Sequence, residues 1–188
     1  ITTWQGYSNN ASRYNSTLGN NCYYYRDGSC TDLTVNDTWW MQTVNQLNLT
    51  LTANNSSSGS RVLGTGIDSK TTADQGYESR PYHLDDNTVS NNPGGATVAP
   101  DIIVVYMGVN DAGGTAGSFE AIDFSTLITE NNGAYQYATP GNFAEAYAVM
   151  IHKIKTTYPN AELFLCNLPE TPAKWSRPVE NHNPVIAK

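Results

Sequence analysis

Regular apolar pattern is confined to a few stretches of this chain, with long polar stretches between them. The clearest is a helix opened by Thr139-Pro140, with proline at a first-turn position. Phe143, Ala146, Tyr147, Met150, Ile151 and Ile154 then recur at steps of three and four, drawing one apolar stripe. Tyr158-Pro159-Asn160 ends it. Before this helix, Ile102 to Tyr106 is a continuous apolar run bounded by Pro100 and Gly108, the pattern of a strand buried on both faces. After it, Glu162 to Leu168 contains a second such run, Leu163-Phe164-Leu165-Cys166. Strand, helix and strand with short joints predict a parallel βαβ crossover.

Towards the N-terminus the pattern is weaker. Asn36 is placed to cap a helix from Asp37 to about Leu47, with Trp40, Val44 and Leu47 on one face. A short strand, Leu49 to Ala53, is expected next, followed by the turn-rich Asn54-Asn55-Ser56-Ser57-Ser58-Gly59-Ser60. Residues 1–34 read as one long loop of Asn, Tyr, Ser and Gly. Residues 64–99 and 111–139 read as polar excursions. No internal repeat is visible. The expected class is α/β, with a parallel sheet and a single domain over residues 1–188.

Composition supports a packed core and narrows the partners. The chain has 188 residues, 39% of them hydrophobic and 14% charged, enough for one domain with one core. Its formal net charge is −7 and it carries no Lys/Arg run, which argues against nucleic acid or an anionic membrane as partner. No apolar stretch approaches the ~20 residues needed to cross a bilayer. The cysteines have no paired metal-ligand spacing, and no cofactor is expected.

In open parallel sheets, ligands bind beyond the C-terminal ends of the strands. Two turns fall at that position in the expected order: Ser58-Gly59-Ser60 after the first strand, and Met107-Gly108-Val109-Asn110-Asp111 after the second. A Gly amide and an Asn carboxamide brought to one rim can donate to the same oxygen, as an oxyanion hole does. Taken alone, each segment reads as an ordinary turn.

The segment Pro100-Asp101-Ile102-Ile103-Val104-Val105-Tyr106-Met107-Gly108-Val109-Asn110-Asp111 resembles the third sequence block of the SGNH (GDSL-like) hydrolases, whose core is Gly-Xaa-Asn-Asp. Asn54 to Val62 is similar to the second block, centred on Gly59. Asp37-Thr38-Trp39-Trp40 and the stretch Tyr147 to Glu162 resemble a bacterial branch of the same family. The resemblance implies a three-layer α/β/α fold with a flavodoxin-like parallel sheet. It also implies ester hydrolysis by a serine acyl-enzyme, acting on a carbohydrate or lipid acyl ester or another small-molecule ester. Carried over by position, the Gly59 N–H and the Asn110 side chain form the oxyanion hole.

The family's Gly-Asp-Ser and Asp-Xaa-Xaa-His blocks do not occur here. Ile1-Thr2-Thr3-Trp4-Gln5-Gly6-Tyr7 resembles the residues directly after the family's nucleophile, which places that serine just before Ile1. The first and last strands would then be supplied by N- and C-terminal segments missing from these residues, and without them the sheet is expected not to close. Ile67-Asp68-Ser69 lacks the glycine, and His83, His152 and His182 have no Asp three residues earlier. His152 is expected at the surface of its helix, and His182 in a loop. The alternative function is a non-catalytic carbohydrate-binding or adhesion module that stacks sugars on Trp4, Tyr7, Tyr14 and Tyr23 to Tyr25.

Sequons at Asn10, Asn15, Asn36, Asn48, Asn54 and Asn55, in a Tyr-rich and Lys-poor chain, point to an extracellular or cell-surface protein. Cys22 and Cys30 flank the turn signal Asp27-Gly28, which leaves a disulfide and two free thiols equally open. Cys166 is expected as a buried, inert thiol.

Overall fold

The structure is a computed structural model. It describes residues 36, 38–52, 61–63, 80–82, 84, 98–111, 115–168 and 182–186. The chain divides into two compact units: Ile1–Ser58 with Tyr82–Pro100, and Gly59–Pro81 with Asp101–Lys188.

In the first unit the described helix is α1, Trp39–Gln46. Its N-cap is Thr38, whose hydroxyl accepts from the Met41 amide, so the helix starts later than Asn36 would place it. It ends in a left-handed cap. Asn48 takes φ 52°, its amide donates to Asn45 O, and the Leu49 amide donates to Val44 O. Trp40 and Val44 are half-buried, but Leu47 is exposed. The strand expected at Leu49 to Ala53 does not form over Leu49–Thr52 (Ala53 lies outside the described residues). The helix cap takes the Leu49 amide where a ladder would have to begin.

The second unit holds the expected crossover. Strand β1, Ile102–Val105, pairs in parallel with β4, Glu162–Leu165, in the register Ile102↔Glu162 to Val105↔Leu165. The ladder continues at both ends, from the Glu162 amide to Asp101 O and from the Cys166 amide to Val105 O. Between the strands runs α3, Phe143–Thr157. Phe143, Ala146, Tyr147, Met150 and Ile154 of the expected stripe are buried, and Ile151 is half-buried. Pro140 precedes the cap rather than opening the helix. The N-cap is Asn142, whose Oδ1 accepts from the Glu145 amide at 3.0 Å.

The remaining donors of that helix end are also used. The Phe143 and Ala144 amides donate to Thr115 O and Ala116 O. Glu145 accepts from the Gly141 amide and from Asn142 Nδ2, both at 2.7 Å. This is a variant of the reciprocal Asn/Glu capping box.

The strands are not buried on both faces. Ile103 and Val105 are buried, whereas Val104 is 49% exposed and its partner Phe164 is 48% exposed. A continuous apolar run therefore conceals an alternating burial pattern, because among the described residues only one face of this strand pair is covered.

Residues 111–139 are not a featureless excursion. A 3-10 turn, Phe119–Ala121, and a short helix α2, Phe124–Leu127, lead into an antiparallel hairpin. Its strands are β2, Ile128–Asn131, and β3, Ala134–Tyr137. Asn132 and Gly133 take φ of 53° and 81°, the two positive values of a type I′ turn. Asn-Gly between short strands is the local signal for this element. Tyr135 and Tyr137 from the hairpin pack on α3. His152 meets both rings edge-on and lies 3.1 Å from the Tyr137 hydroxyl, and Lys153 Nζ sits 4.7 Å from the Tyr137 ring centroid. His152 is thus half-buried beneath the hairpin rather than a free surface residue, and burial lowers its pKa.

Beyond β1 the chain turns at Gly108, which has φ +128°. A Cβ there would lie 3.1 Å from both Leu168 Cδ1 and Phe143 Cζ. Strained backbone and crowding act together, so Gly108→Ala should lower stability by about 1–3 kcal/mol. The shift in the urea-unfolding midpoint measures it, and an unchanged midpoint would mean the turn can form without the left-handed residue.

Candidate active site

The turn after β1 is the site's framework. The Asp111 amide donates to Gly108 O at 3.0 Å, closing Gly108-Val109-Asn110-Asp111. Asn110 stands on this turn, half-buried, at the C-terminal end of β1. That is the end at which ligands bind in open parallel sheets.

Asp111 points into the protein. It is only 8% exposed. Its two oxygens accept from consecutive backbone amides of a distant segment, Val62 N to Oδ2 at 2.9 Å and Leu63 N to Oδ1 at 2.8 Å. Val62 is fully buried. One carboxylate thus ties Arg61–Leu63 to the turn that carries Asn110. Sequence pattern gives Asp111 no role beyond closing its motif. The contact spans 49 positions to Val62, which no local period encodes.

Gly59 lies outside the described residues. Its expected place at a strand end rested on the Leu49–Ala53 strand. The segment that starts at Arg61, two residues after it, is nevertheless brought to the Asn110 turn. Cys22, Cys30, the N-terminal aromatics and His83 also lie outside the described residues.

A second clasp sits nearby. Asn183 heads the short helix α4, Asn183–Ile186, and its side chain both accepts from the Leu168 amide at 2.7 Å and donates to Leu168 O at 3.1 Å. His182, just before it, is 1% exposed, with its ring 4.5 Å from that of Phe143. It stands in a turn, as expected, but is buried against an aromatic. Cys166 is a free, half-buried thiol, and burial raises its pKa, in keeping with an inert role. Among the described residues no cluster of His, Cys, Asp or Glu could hold a metal ion, and no helix is long and apolar enough to cross a membrane.

Parallel strands joined through a covering helix, with a Gly-Xaa-Asn-Asp turn at their C-terminal rim, define an α/β protein with its polar groups at the ligand-binding end. The chain belongs to the GDSL-like lipase/acylhydrolase family, whose model matches residues 5–179. Searches of curated proteins and of solved structures found no match. Family membership supports hydrolase activity in general and small-molecule esters as substrates.

Burial pushes the Asp111 carboxyl up to about 6, against the opposing pull of the Val62 and Leu63 amides and of Arg61. The folded chain therefore binds this proton more tightly than the unfolded chain. The stabilising effect is fully present below about pH 4 and is lost as pH rises through about 6, worth up to about 3 kcal/mol. Compared with Asp111→Asn, the wild type should lose stability progressively from about pH 4 to pH 7. Urea midpoints of the two proteins across that range test this, and a constant difference would mean Asp111 titrates normally.

Proposed function

We propose that this protein is a secreted or cell-surface serine esterase that cleaves acyl esters, acetyl groups on carbohydrate or short-chain lipid esters, through an acyl-enzyme. The observation that carries the reading is the family match together with Asn110 on the turn leaving β1. In this mechanism the serine of the family's Gly-Asp-Ser block attacks the ester carbonyl. The His of the Asp-Xaa-Xaa-His block takes its proton, and the Asp orients the imidazole. The carbonyl oxygen becomes an oxyanion as the tetrahedral intermediate forms. The Asn110 side-chain N–H, the Gly59 amide and the nucleophile's own amide donate to it. Collapse expels the alcohol and leaves the acyl-serine, which water hydrolyses by the same route. The extracellular assignment rests on the sequons and the Tyr-rich, Lys-poor composition.

Asn110→Ala should lower kcat by about 10²–10³ with little change in KM, the usual cost of one oxyanion donor. Steady-state hydrolysis of p-nitrophenyl acetate measures it, and an unchanged kcat removes Asn110 from the mechanism. A fluorophosphonate probe should label the native full-length protein. Failure to label would favour a non-catalytic carbohydrate-binding module instead.

A further inference from the structure

Building on the esterase reading, we propose that Asp111 is a positioning residue: its carboxylate ties Arg61–Leu63 to the turn that presents Asn110, and so holds that turn, and the Asn110 side chain on it, in one place.

The geometry is unusual for a turn residue. An aspartate closing a surface turn ordinarily bonds its own backbone or water. Asp111 instead spends both oxygens on the amides of Val62 and Leu63, 49 and 48 positions away, at 2.9 and 2.8 Å. Two bonds to consecutive amides fix the position and the orientation of that strip, which a single bond cannot do. The carboxylate is buried, so water does not compete for either bond. Its own backbone is fixed in turn, because the Asp111 amide closes onto Gly108 O and Gly108 is wedged beneath Phe143 and Leu168. The side chain therefore acts from a rigid base.

Only a carboxylate serves this purpose at this size. Asparagine has one acceptor oxygen and would turn its NH₂ towards the second amide, so it keeps half of the clasp. Misplacing a catalytic donor by an ångström costs rate rather than binding, because the oxyanion develops on the way to the tetrahedral intermediate and is absent from the bound ester. Asp111 touches no substrate in this scheme. It acts through the backbone that it holds.

The test has two independent readouts on the full-length protein. Hydrogen exchange of wild type should show the Val62 and Leu63 amides protected. In Asp111→Ala they should exchange at least about tenfold faster, while the α3 amides Ala146 to Ile154 keep their protection. In parallel, kcat for p-nitrophenyl acetate should fall by about 10- to 100-fold in Asp111→Ala and less in Asp111→Asn, with KM little changed. Unprotected Val62 and Leu63 amides in wild type would overturn the clasp without any variant. Loss of protection with kcat unchanged would overturn the positioning role and leave a purely structural contact. If Asp111→Ala fails to fold, the isosteric Asp111→Asn carries both measurements. A wild-type protein that hydrolyses no ester and takes no fluorophosphonate would overturn the esterase reading and the positioning role with it, and the exchange data would still decide whether the clasp exists.

Discussion

Beyond Val105 the chain has to leave the sheet, and it does so through Gly108 at φ +128°, with Phe143 and Leu168 close enough that a side chain there would be crowded as well as strained. The rest of the second unit is arranged around this point. Phe143 opens the helix that links the parallel strands, and Leu168 closes the segment after β4. One position thus brings the end of β1, the start of α3 and the extension of β4 into contact. Packing at this density has little give, so the turn beyond Gly108 is held in one conformation. That fixed turn sets where Asn110 and Asp111 stand.

Side chains then bind backbone across the rim. Asp111 holds Arg61–Leu63, and Asn183 holds Leu168 in both directions. Irregular segments near a sheet end carry amides and carbonyls with no ladder to satisfy them, and a buried one left bare is costly. Short polar side chains at the right places solve that problem and fix the loops at the same time. The N-terminus of α3 is solved similarly, through Asn142, Glu145 and the carbonyls of Thr115 and Ala116. The amides of that helix end are committed to the fold.

Much of this could be read from the chain because it is local. The stripe from Phe143 to Ile154 is a period, and the runs at Ile102 and Leu163 are strands by composition, so the crossover is visible before any contact is known. Asn110 is legible through its motif. The features that escaped are of two kinds. The hairpin at Ile128–Tyr137 has short, mostly exposed strands, so alternation carries little hydrophobic contrast, and only the Asn132-Gly133 pair marks it. The exposed side of β1, the burial of His182 and the reach of Asp111 depend on residues far apart in sequence, which a local pattern does not record. Leu49–Thr52 shows the reverse. Its Leu/Thr alternation suits a strand, but the cap of α1 takes the Leu49 amide first.

Asp111 also shows why a site of this kind carries its cost in a charge. A neutral side chain would escape the desolvation that raises this carboxyl's pKa. It would also lose one of the two bonds that orient Arg61–Leu63, since no neutral residue of that size offers two equivalent acceptors. Stability and alignment therefore pull apart at this position: burial favours the proton, and the amide pair favours the charge. The proton need not release the segment, because a protonated carboxyl keeps acceptor capacity, but it weakens the charge-assisted bonds that set the alignment. The clasp on Arg61–Leu63 is thus tightest when Asp111 is ionised, in a fold that is more stable when it is not.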